Sequence, residues 1–140
     1  MIPLNGIKSL RTAARDKGLA QVGDTLVNFV YSVARSRVLG KCTGKRVSRT
    51  VLADALKAAE LRDLAKTRAD AHDLADTVEA LVAYAWAAGA LTIEEMVGIL
   101  AVHLDESTLK MRDLKAETAQ AAEAFKNLLA EMVDRIGLEE

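Results

Sequence analysis

Apolar positions recur along the chain at the three-and-four spacing of helices, with polar breaks between them. The spacing predicts a short first helix over 4–15, closed at Lys17-Gly18 with glycine in the stop position. A second runs over 19–39 to Gly40, and its residues Leu19, Val22, Leu26, Val27, Phe29, Val30, Tyr31, Val33 and Ala34 leave almost no polar face. Residues 40–47 read as a basic loop, after which Ser48 caps a third helix with Val51, Leu52, Ala55, Leu56 and Ala59 on one face. Helical character resumes over 61–66. The next long helix, 70–88, carries Leu74, Ala75, Val78, Leu81, Val82, Tyr84, Ala85 and Trp86 and ends at Gly89. A helix that is apolar nearly all round belongs in the middle of a bundle, so 19–39 and 70–88 are expected to be central. Thr92-Ile93-Glu94-Glu95 has the form of a capping box opening a helix to about His103, and an amphipathic last helix is expected over 107–136, stopped by Gly137. The expectation is an all-α fold of five to seven helices in one domain over 1–140.

Composition agrees. Of 140 residues, 51% are hydrophobic and 28% charged, which excludes a disordered chain, and a single proline leaves little punctuation for a many-stranded sheet. Cys42 stands alone and cannot form an internal disulfide, which fits a reducing, cytoplasmic compartment. The longest apolar run, 80–88, has nine residues, well short of the roughly 20 that a membrane helix needs. The first residues show no basic run before an apolar stretch, so no secretory signal is expected.

The net charge of −1 hides an asymmetry. Residues 1–50 hold ten basic side chains against two acidic, 51–93 four against seven, and 94–140 five against eleven. No acid falls between Thr25 and Ala53, where Arg35, Arg37, Lys41, Lys45, Arg46 and Arg49 all lie. Such a stretch is either a solvated face or a patch for a polyanion, bound through its phosphates.

Three acids stand where a soluble bundle should have apolar residues. Asp24 interrupts the run of the second helix, and Asp76 and Glu79 that of the fourth. An unpaired buried carboxylate costs several kcal/mol, so it is normally neutralised, paired or bound to a cation. Asp76 and Glu79 share one helical face at i, i+3, and Asp73 extends that stripe backwards. If the two central helices face each other, Asp24 approaches the stripe, and the converging oxygens suit Mg²⁺ or Mn²⁺. The plainer alternative is that these are ordinary helix acids, with Asp24 favoured by the helix dipole. His72 and His103 have no partner spacing, and Cys42 has no neighbouring ligand. No phosphate-binding glycine loop is present.

The segment Leu74-Ala75-Asp76-Thr77-Val78-Glu79-Ala80-Leu81 resembles the second motif of the ribonuclease III catalytic domain. Residues 19–28, with Gly23-Asp24 inside an apolar pattern, resemble that family's signature segment, whose core reads Leu-Glu-Phe-Leu-Gly-Asp-Ala. Together the two organise roughly residues 4–100, and the chain is similar to compact archaeal members without a double-stranded-RNA-binding domain. The resemblance implies a helical, dimeric endonuclease domain, its signature helix at the interface, with acids holding divalent ions to cleave double-stranded RNA. Carried over, Asp24 matches the signature aspartate, Asp76 the aspartate of the second motif and Glu79 the glutamate three residues on. The signature glutamate has no counterpart, because position 20 is Ala20 and neighbouring Gln21 is neutral. Asp73 is a candidate for the missing charge, outside any family motif.

Three functions are therefore open. One is a metal-dependent endoribonuclease acting on double-stranded or structured RNA through Asp24, Asp76 and Glu79, as a homodimer. Another is a non-catalytic RNA-binding protein that kept the fold, for ribosome assembly or RNA processing. The third is a helical protein-interaction module with structural carboxylates. Ala20 favours the second over the first, and the basic N-terminal segment favours both over the third. In either RNA reading Arg35, Arg37, Lys41, Lys45, Arg46 and Arg49 are the expected RNA contacts.

Overall fold

Each α-helix among the described residues starts at a polar cap that the sequence supplies. The computed structural model describes residues 1–139. In it, Ser9 caps α1 (Leu10–Ala13), Asp16 caps α2 (Lys17–Leu39) and Ser48 caps α3 (Arg49–Ala58). Asp70 opens α4 (Ala71–Ala87), Thr92 opens α5 (Ile93–Ala101), Asp105 opens α6 (Glu106–Met111) and Asp113 opens α7 (Leu114–Ile136). In each case the side-chain oxygen accepts the backbone N–H of the residue three positions on, satisfying one of the donors a helix start leaves free. At Asp70 and Thr92 the bond is returned by Asp73 and Glu95, closing two capping boxes. The protein is all-α, with no strand among the described residues.

The core is built around α4. Eleven of its seventeen residues are buried, including Tyr84, and Trp86 is half-buried beside them. α2 makes the most extensive packing against it, α3 bridges α4 and α7, and α5 lies against α2 and α7. Where α2 crosses α4 the two backbones almost touch. A Cβ added at Gly23 would stand 1.8 Å from the carbonyl oxygen of Glu79, so only glycine allows this approach.

The helices expected over 48–59, 70–88 and 92–103 are found within one or two residues of those bounds. Three expectations are corrected. The helix expected over 4–15 is confined to Leu10–Ala13, because Asn5 and Gly6 adopt positive φ (50° and 84°) and no cap occurs before Ser9. Gly18 is not a stop: Asp16 has already capped α2, and Gly18 lies in its first turn. The last helix, expected unbroken over 107–136, is divided, since Arg112 turns left-handed at φ 55° and Asp113 caps a new start. The segment 61–66 holds only a short 3₁₀ turn at Arg62–Leu64. α2 also differs from α4 in burial, leaving Gln21, Asp24, Thr25 and Phe29 exposed along one side. No helix among the described residues is long and apolar enough to cross a membrane.

Candidate functional site

The crossing at Gly23 brings the acids of two helices together. Asp24, Asp73, Asp76 and Glu79 all line one open cavity of about 420 Å³ between α2 and α4. Asp24 follows the contact glycine on α2, and Glu79 supplies the carbonyl that the glycine meets, so the closest approach of the two backbones also sets the site. Asp24 is half-exposed, with its backbone carbonyl and Oδ1 accepting from Asn28 Nδ2 at 2.7 and 3.4 Å. Asp76 is also half-exposed and stands 3.6 Å from His72 Nε2. Glu79 is different. It is only 8% exposed, and burial, followed by hydrogen bonding and repulsion from Asp24 and then Asp76, pushes its carboxyl up to about 8.

Asp73 lines the same wall but is engaged elsewhere. Its Oδ2 accepts the Asp70 N–H at 3.0 Å and its Oδ1 is 3.3 Å from Lys66 Nζ. The backbone hydrogen bond at Asp70, with help from Lys66, holds its carboxyl below the ordinary range. Ala20 faces the cavity one turn before Asp24 and contributes no oxygen.

Carboxylate oxygens are hard donors of the kind Mg²⁺ and Mn²⁺ take. Glu79, nine-tenths buried with two acids beside it, keeps its proton near neutral pH, and a divalent cation next to it would favour the ionised form, so the chemistry of the donors suits such an ion. Among the described residues no group of three or more His, Cys, Asp or Glu side chains is closed into a cluster that could hold a metal. On the shared wall Glu79 stands within hydrogen-bonding reach of both Asp24 and Asp76.

The basic segment is divided by the fold. Arg46 and Arg49 line the acid-walled cavity, with Arg46 Nη2 3.8 Å from Asp24 Oδ1. Arg35 and Lys45 instead converge on Glu117 of α7, at 3.0 and 3.3 Å. Glu117 is 3% exposed and also accepts the Tyr31 hydroxyl at 2.7 Å. Burial raises its carboxyl, but Arg35, Tyr31 and Lys45 outweigh that and hold it below the usual carboxylate range. The Tyr31 hydroxyl is raised, by burial first and then by Glu117. Arg37 pairs with Glu94 on the surface through both guanidinium nitrogens, and Lys41 is exposed without an ion pair among the described residues.

Three cations in the cavity wall lie outside the segment that sequence reasoning singled out: Arg15, Lys17 and Lys66. Arg15 Nη2 donates to the Ala65 carbonyl at 3.3 Å, tying the start of α2 to the turn that carries Lys66. A signal for Lys17 was present, since it precedes Asp24 by seven residues, two turns along one helix face. Lys66 lies ten residues before Asp76 in a loop, where no periodicity announces it.

A family model described as Ribonuclease III matches residues 17–138. The match contains all three motif acids and extends past the region expected from the motifs to take in α7. No curated protein matches the chain.

Proposed function

We propose, from the premise that this chain belongs to the ribonuclease III family, that it hydrolyses phosphodiester bonds in double-stranded or structured RNA as a homodimer using Mg²⁺ or Mn²⁺. The observation that carries this is one cavity in which Asp24 from α2 meets Asp76 and Glu79 from α4 beneath a rim of Arg15, Lys17, Arg46, Arg49 and Lys66. The three acids are the residues that would hold the ion, which when bound supplies an activated water and stabilises the leaving oxygen. The rim does what carboxylates alone cannot, since a bare acidic wall repels a phosphate backbone. Duplex RNA is recognised mainly by its shape, phosphates and 2′-hydroxyls, so a cationic rim without aromatic platforms matches that substrate.

Ala20 supports a second reading, an RNA-binding protein that kept the fold without the chemistry, because the wall is one carboxylate short of the family pattern. Labelled duplex RNA incubated with and without Mn²⁺ separates the two. The nuclease reading expects metal-dependent cutting that is lost in both Asp24→Asn and Glu79→Gln. Uncut RNA that still shifts on a gel selects the second reading, and RNA neither cut nor bound selects the protein-interaction module.

A further inference from the structure

Residues 41–47 lie extended along α2 and show it only one edge. Thr43 and Lys45 each donate a backbone N–H to a serine of α2 and accept its hydroxyl in return, Ser36 for the first and Ser32 for the second, at 2.9–3.1 Å. The Val47 N–H donates to Asn28 Oδ1 at 2.6 Å. No residue from 41 to 47 turns to positive φ. Alternate residues of an extended chain direct their N–H and C=O groups to opposite edges, so those of Cys42, Gly44 and Arg46 face outward. These three residues are exposed, and none has a backbone hydrogen bond among the described residues. At Gly44, the middle of the edge, an added Cβ would meet nothing within 4 Å, so another chain has room to come alongside.

We infer that this edge is a docking site for an extended acidic segment of a partner protein, which joins it as an added strand. A bare edge is a template for any extended chain, and the charges beside it select which one. Lys41 and Arg46 stand near its two ends, both exposed, Lys41 without an ion pair among the described residues and Arg46 with only Asp24, 3.8 Å away. No acid occurs between Thr25 and Ala53. A second copy of this chain would set one such basic segment against another and be repelled. An RNA strand would accept from the outward N–H groups but leave the carbonyl oxygens between them facing its phosphates, whereas a peptide backbone satisfies both. Five residues of extended chain span about 16 Å, so a partner segment of about six residues reaches from Lys41 to Arg46. Arg46 also rims the acid-walled cavity, so an occupied edge withdraws one cation from RNA. Docking here needs no chemistry in that cavity, and it stands whether or not the protein cuts RNA.

The probe is a synthetic peptide of alternating Glu and Thr, about eight residues long, added to the full-length protein while amide exchange with water is followed by nuclear magnetic resonance. Protection is expected at the amides of Cys42, Gly44 and Arg46, with those of Thr43 and Lys45, already bonded to α2, unchanged. Affinity, read by fluorescence anisotropy, is expected to fall by about tenfold or more when every backbone nitrogen of the peptide is methylated, and likewise when Lys replaces Glu in it. Gly44→Pro removes one outward N–H and no bond to α2, and is expected to lower affinity about tenfold with the helical circular dichroism unchanged. A methylated peptide that binds the wild type as well as its parent overturns the inference, since attraction is then charge alone, and this holds even if Gly44→Pro disturbs the fold. No protection at millimolar peptide overturns it too. Duplex RNA that protects the three amides when the peptide does not gives the edge to RNA, and protection that rises with protein concentration alone gives it to a second copy; either result also overturns it.

Discussion

Gly23 and Gly98 are both helical glycines, yet adding one methyl group to each should move stability in opposite directions. At Gly23 the new Cβ would lie 1.8 Å from the Glu79 carbonyl oxygen, a backbone atom that cannot swing aside. Gly23→Ala must therefore push α2 off α4, costing about 1–3 kcal/mol or more by overpacking and widening the gap between Asp24 and Glu79. At Gly98, within α5, nothing lies within 4 Å of the added atom. Gly98→Ala should stabilise by about 0.4–1 kcal/mol through the unfolded chain, and paired urea titrations of the two variants check both signs. Glu117 gives a second prediction at this scale. Removing one partner of a buried ion pair costs about 3–5 kcal/mol, and Glu117→Gln should fall near the lower bound because the amide oxygen still accepts the Tyr31 hydroxyl. The sign with pH follows from its depressed carboxyl. Its contribution is complete above the unfolded value of about 4.3 and disappears as pH falls through the lower folded value. The stability difference between wild type and Glu117→Gln should hold at pH 7 and shrink below about pH 4.

Among the elements, the segment read from sequence as a basic loop turns out to be a strap fastened to α2. Asn28, Ser32 and Ser36 recur every four residues along the helix, and each holds an alternate residue of the strap. Val47 N–H donates to Asn28 Oδ1 at 2.6 Å. Lys45 and Thr43 each exchange two hydrogen bonds with Ser32 and Ser36, at 2.9–3.1 Å. The match is geometric, because four helical residues rise about 6 Å and two extended residues span about 6.6 Å. The strap therefore fixes Arg46 and the start of α3, with Arg49, against the acids while Arg35 and Lys45 are drawn to Glu117. If the rim binds RNA, Arg46→Ala with Arg49→Ala should weaken binding and flatten its dependence on salt. The slope of log affinity against log salt should fall by roughly 0.7–0.9 for each phosphate no longer neutralised, the range known for nucleic acids. Arg37→Ala should leave the slope unchanged, since that side chain pairs with Glu94 away from the cavity. The contrast marks what the sequence could convey. Helical periodicity and two motifs located the acids, because spacing on a helix is local and Gly23-Asp24 states its own close approach. The partition of six cations was not legible, because it depends on Glu117, more than seventy residues further along the chain. The break at Arg112 was likewise hidden, as amphipathic periodicity continues on both sides of it and only the cap at Asp113 marks the new start.

At the scale of the whole molecule, the uneven burial of the two central helices bears on assembly. α4 is enclosed by its neighbours, while α2 leaves a stripe of Gln21, Thr25 and Phe29 at four-residue intervals on its outer side. Phe29 is 52% exposed, among the few large apolar side chains open to solvent. Asp24 lies next to that stripe, so a surface that covers Phe29 also borders the acid-walled cavity. A two-fold contact between copies would bury the same stripe from both sides, because an isologous interface uses one patch twice. It would also bring two cavities near one axis, extending the cationic rim of each toward the other. Phe29→Glu tests this, since it sets like charges against each other in such an interface while replacing a side chain already open to water. Sedimentation at tens of micromolar should give a dimer for the wild type and a monomer for Phe29→Glu. The helical circular dichroism and urea midpoint of the monomer should stay close to the wild type, as an exposed position changes stability little. A wild type that sediments only as monomer removes the dimer from the proposal, and a dimeric Phe29→Glu moves the interface to another face.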